Sequence, residues 1–121
     1  MKYVRLFEDR TGESHFEDVE AKLTSTDFAP PAPPLNVSSA IPALQMVFLS
    51  VSTGWSGGWH PSPVRQFIFI ASGELELEAS DGAVRLFRVG DVAFAEDVSG
   101  KGHCSRAIGD EDFSAVIVQL D

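Results

Sequence analysis

Residues 54–73 read GWSGGWHPSPVRQFIFIASG. A Gly- and Trp-rich run passes through two prolines into a strongly apolar segment that ends at Gly73, the pattern of a loop feeding a strand. Side chains two apart on an extended chain share a face. An extended course through Pro61 and Pro63 therefore predicts that His60, Ser62 and Gln66 point into one cavity. Ile68 and Ile70 continue the face of Gln66, while Phe67 and Phe69 pack outside it or at a subunit contact. Such a wall, apolar with a few polar groups at one end, suits a small organic molecule with a carbonyl or hydroxyl handle. Trp55 and Trp59 stand among glycines, where a lid over a ligand and a packing anchor are both open readings.

Working outward, the pattern is β at nearly every step. Strands are expected over residues 44–51, 65–71, 74–79, 83–89, 92–96, 103–108 and 113–120. In 74–79, ELELEA, leucines alternate with glutamates, so one face is core and the other wet. Asp81-Gly82 predicts a two-residue type I′ turn. Residues 2–7 read as a strand, and 15–23 carries both helical and strand spacing and is read as strand. Residues 29–34, APPAPP, favour a polyproline-like connector. The 28 residues before it are too few for a domain, and add strands to the main body or to a second subunit. Many short strands imply an all-β sandwich or barrel in a single domain.

The formal charge of −9, from 9 Lys plus Arg against 18 Asp plus Glu, repels nucleic acid and anionic lipid surfaces. Neither is expected as a partner. No run approaches a membrane span, residues 1–10 show no apolar leader, and Cys104 is the only cysteine, so a cytoplasmic location is expected. A homodimer and a small-molecule ligand are the expected partners.

The spacing resembles that of the cupin family, small β-barrels of jelly-roll type. The first cupin motif, roughly G-x5-H-x-H-x3-E-x6-G, is matched at every interval by Gly54, His60, Ser62, Gln66 and Gly73. Ser62 stands at the second His and Gln66 at the Glu. The second motif, roughly G-x5-P-x-G-x2-H-x3-N, resembles residues 90–107, with Gly90, Gly100 and His103 fitting across a two-residue insertion. The resemblance implies a cupin-type jelly-roll barrel over residues 44–120 with an N-terminal strand arm. It also implies a metal position at His60, Gln66 and His103, an incomplete ligand set. One divalent transition metal (Zn, Fe, Ni or Mn) or no cofactor are the alternatives. Glu96, aligned with Val92 and Phe94, is the candidate replacement carboxylate.

Two functions from different classes stay open. One is an enzyme acting on a small, largely apolar molecule, with His60 and His103 as acid and base, Gln66 assisting, and Trp59, Ser62, Ile68, Ile70 and Ser105 holding the substrate. Isomerase, lyase or cyclase chemistry is preferred to metal-dependent oxygenation, because the metal carboxylate is missing. The other is a ligand-binding or sensing module without turnover, and a dimeric scaffold is a weaker third reading. Each residue also has a plain alternative: His60 as a loop cap, His103 as a loop-bonding residue, Cys104 as a small hydrophobe facing away from His103. His15 is assigned no role, and Asp97 and Lys101 are expected in solvent, with Arg106 as a possible partner.

Overall fold

A computed structural model describes all 121 residues. It contains twelve strands and no helix. These are β1 (Lys2–Glu8), β2 (Ser14–Glu20), β3 (Thr24–Thr26), β4 (Leu35–Val37), β5 (Gln45–Val51), β6 (Ser56–His60), β7 (Gln66–Ser72), β8 (Glu74–Ala79), β9 (Val84–Arg88), β10 (Val92–Ala95), β11 (His103–Ile108) and β12 (Phe113–Gln119). A six-stranded sheet runs β2-β1-β10-β7-β12-β5, and a four-stranded sheet runs β6-β11-β8-β9. The expected strands all form, with ends moved by a residue or so except that the one expected over 15–23 stops at Glu20.

The two sheets face each other over Ile70, Leu75, Leu77, Phe87, Ala107 and Phe113, which form one buried cluster. Alternation sets which side chains enter it. Leu75 and Leu77 of ELELEA are buried while the glutamates between them are not. The six-stranded sheet is apolar on both faces. Phe67 stacks on Phe94 at 4.2 Å on its outer side, and Met46 and Phe48 of the edge strand β5 stay 54% and 81% exposed there.

The N-terminal strands join the body of this same chain. β1 pairs in parallel with β10, Val4 opposite Ala93 and Leu6 opposite Ala95, and Leu6 is buried in the core. Residues 15–20 are strand, paired antiparallel to β1. The proline-rich stretch lies in the loop of a small hairpin, since β3 and β4 pair across it, Thr26 opposite Leu35.

The turn between β8 and β9 differs from expectation. No residue other than glycine has positive φ, which rules out a type I′ turn at Asp81. The loop has three residues. Gly82 N donates to Ala79 O at 3.0 Å, Ala79 N donates to Ala83 O at 2.9 Å, and Gly82 takes the left-handed position at φ 92°. This is the type I turn plus bulge geometry of three-residue hairpins. Asp81 keeps a negative φ, and its carboxylate caps the loop, accepting from Ala83 N at 2.9 Å.

Candidate functional site

A cavity of about 150 Å³ lies between the sheets. Its apolar walls include Leu49 and Val51 of β5, Ile68 of β7, Leu77 of β8 and Ile117 of β12, and its polar groups are His60, Gln66, His103 and Ser105. Four of the residues singled out in the sequence as polar or catalytic thus meet in one place, and Ile68 lines it as expected.

A β-bulge brings the histidines together. His103 is opposite His60 and Ser105 is opposite Gly57, with a register shift between them. Gly58 and Trp59 therefore oppose Cys104 alone, and the extra residue turns both Gly57 and His60 toward the cavity side. The ring centroids of His60 and His103 come to 4.9 Å. Gly102, just before β11, has φ 73°, and a Cβ there would sit 2.3 Å from the carbonyl carbon of His60. Only glycine lets the two strands close to this distance.

Each imidazole is held through its Nδ1. His60 Nδ1 lies 2.7 Å from Gly58 O, and a carbonyl only accepts, so Nδ1 carries the hydrogen and Nε2 is left with its lone pair. His103 Nδ1 lies 2.6 Å from Asp97 Oδ2, and an ionised carboxylate likewise only accepts. Both rings are thus fixed with Nε2 as the free nitrogen. Gln66 Oε1 accepts from Gln119 Nε2 at 2.9 Å, which leaves the Gln66 amide N–H groups for other partners.

Asp97 corrects the sequence reading most. It was expected in solvent, yet it is fully buried, with Oδ1 lacking any partner. His103 is its side chain's one hydrogen-bonded contact. Lys101 does stay exposed, paired with Glu13, and Arg106, the possible partner, pairs with Glu76 instead. Glu96 does not turn inward, because its side chain pairs with Arg5. The inward residues of β10 are the small Ala93 and Ala95, both 3% exposed, and Asp97 continues their parity. Phe94 faces outward under Tyr3 and Phe67.

Three further expectations move. Ser62 is buried but outside the cavity. The chain bends between β6 and β7, so the extended course fails: Ser62 Oγ donates to Val64 O at 2.7 Å and Ser62 N donates to Asp97 O at 2.9 Å. The serine props the loop that carries Asp97. Trp59 is 52% exposed and lies on the other side of the bulge, while Trp55 lines the cavity. Its ring lies over Gly57, where an added Cβ would be 2.8 Å from Cη2. Ile70 shares the face of Ile68 but lies deeper, in the core cluster. Cys104 Sγ contacts Gly57 O at 3.1 Å, away from the cavity.

No family model matches this sequence, and no curated protein matches it either. Among solved structures, a Cupin 2 conserved barrel domain protein from Salinispora arenicola is 25% identical, with a TM-score of 0.54 over 82% of this chain and 76% of its own. This is a cupin fold. Protein NMB1881 from Neisseria meningitidis, 20% identical, matches with a TM-score of 0.50 over 65% of this chain and 75% of its own. The cupin sheets here are not closed on each other, since β5 and β6 each end a sheet. No helix is long and apolar enough to cross a membrane.

The cupin fold implies a metal, and the donor set can be tested against one. Two Nε2 lone pairs suit a transition ion, and a carbonyl and a carboxylate behind them are the partners that metal-bound imidazoles use. A catalytic centre needs about three protein ligands. At the remaining cupin positions, the Ser62 hydroxyl is turned into its own loop and the Gln66 oxygen is engaged by Gln119. Asp97 lies behind His103, and no group of three His, Cys, Asp or Glu side chains converges anywhere. The residues do not fit a three-ligand metal centre.

Proposed function

We propose that this cupin is a small metal-independent enzyme that moves protons on a small, largely apolar organic molecule, in an isomerisation, elimination or cyclisation. The observation that carries the reading is the pair of imidazoles 4.9 Å apart, each with Nδ1 occupied and Nε2 free, on the wall of an apolar cavity. One ring takes a proton through Nε2 from a substrate carbon or hydroxyl, and the imidazole pair returns a proton at a second position. Asp97 holds His103 in its tautomer and orientation. Gln66 orients the substrate through its N–H. The apolar walls lower the polarity around the reacting groups, which strengthens these interactions.

The reading is tested by hydrogen exchange. A panel of small enolisable ketones is incubated with protein in D2O and followed by proton NMR. Exchange faster than in buffer, lost in His60→Ala and in His103→Ala, supports it. Saturable ligand binding with exchange no faster than in buffer would replace catalysis by ligand binding alone.

A further inference from the structure

We infer that the occupant of this cavity carries a hydroxyl group on a body of about six or seven heavy atoms, as in a phenol or a cyclic enol. The inference rests on the small-molecule reading above and adds the chemical class. Size comes first. A cavity of about 150 Å³ is well below the roughly 300–1,000 Å³ of drug-sized pockets, and an apolar cavity of about that volume holds benzene. Fused rings exceed this volume and would extend out past His60 and Trp55 at its rim.

Polarity comes second. His60 Nδ1 is committed to Gly58 O and His103 Nδ1 to Asp97, so the neutral pair offers the ligand two lone pairs and no hydrogen. Gln66, its oxygen held by Gln119, offers N–H. The matching group must give a hydrogen to an imidazole and accept one from an amide within the same small space. A carbonyl can accept from the Gln66 N–H but gives no hydrogen to the imidazoles until it enolises, and a carboxylate sets its charge against their lone pairs. An ammonium brings only hydrogens to the Gln66 N–H. A hydroxyl oxygen does both. In a phenol or enol its hydrogen is also acidic enough for an imidazole to remove, with the electron pair staying on oxygen, which is the proton step proposed above. Ser105, on the same wall, adds a hydroxyl that serves as either donor or acceptor.

The test compares phenol with toluene, which has the same size and no hydrogen bond. Each is titrated into the intact protein by NMR, with the ring nitrogens of His60 and His103 labelled with nitrogen-15. Phenol is expected to bind at least tenfold more tightly than toluene and to move the Nε2 signals, which toluene leaves in place. Equal affinities, or unmoved Nε2 signals on phenol binding, would overturn the hydroxyl assignment while leaving an apolar ligand pocket. Failure of both molecules to bind would remove the pocket reading as well.

Discussion

Asp97 and His103 answer each other: the carboxylate is fully buried, and its hydrogen-bonded side-chain contact is the imidazole nitrogen 2.6 Å away. Removing either partner leaves the other polar and buried without a match. Asp97→Ala and His103→Ala should each lower stability by about 3 kcal/mol. The double variant should cost much less than both losses together. Urea unfolding of the four proteins measures this, and additive losses would show that the two side chains are not coupled.

His60 is the opposite case. Its ring is exposed at the cavity edge and bonded to a backbone carbonyl rather than to a buried charge. His60→Ala should change stability by less than about 1 kcal/mol and still abolish the exchange activity. Activity retained at the parent's level in this folded variant would take His60 out of the chemistry.

Gly102 sets the spacing of the two histidines. Gly102→Ala forces a Cβ to within 2.3 Å of the His60 backbone at a positive φ, and should cost roughly 3 kcal/mol or more. Gly58→Ala, two residues before His60, meets nothing within 4 Å and serves as the control. Similar melting temperatures for the two variants would contradict the close approach.

The third histidine couples stability to pH. His15 bridges two turns, with Nε2 2.7 Å from Asp9 and Nδ1 2.8 Å from Asp81, so both nitrogens donate and the ring is an imidazolium. Hydrogen bonds to Asp9 and then to Asp81 raise its pKa. The Thr11 hydroxyl and then His15 hold the Asp9 carboxyl below the usual carboxylate range, and the Ala83 N–H holds Asp81 low. A raised histidine contributes fully below its unfolded value, near 6.5, and loses the contribution as pH rises through its folded value. Lowered carboxylates contribute above about pH 4 and lose it as pH falls through theirs. The bridge is therefore complete between about pH 4 and 6.5. The stability difference between the parent and His15→Gln should be largest near pH 5 and shrink towards pH 9; a difference constant across that range would exclude the charged bridge.

The incomplete donor set makes a separate prediction. Protein treated with EDTA and dialysed should keep its phenol affinity and its exchange activity. Activity lost with the chelator and restored by Zn, Fe, Ni or Mn would refute the metal-independent reading.

Alternation made most of the barrel legible. QFIFIAS, ELELEA and the segment 113–119 state their own faces, and the motif spacing placed His60, Gln66 and His103 around one cavity. What escaped was set by contacts rather than by local pattern. Ser56–His60 holds two glycines and no β-branched residue, and becomes a strand through its pairing with β11. The bulge within it exchanged Trp55 for Trp59 at the cavity. On β10, Phe94 draws the eye as the core residue, but the sheet is apolar on both faces and the inner positions are alanines. Reading the small residues as inward would have carried the parity from Ala93 and Ala95 to Asp97 and found the buried carboxylate.

The order of strands in the large sheet fixes an order of assembly. β12, near the end of the chain, lies between β5 and β7, and β1 is joined to β10 across nearly ninety intervening residues, Val4 opposite Ala93. Neither β1 nor β5 can settle into that sheet on a ribosome until its distant neighbour has emerged. Long loops must close before their contacts form, which slows folding. Until β12 arrives, β5 and β7 each keep an unpaired apolar edge, and the nascent chain is then most prone to capture by chaperones or by other copies of itself.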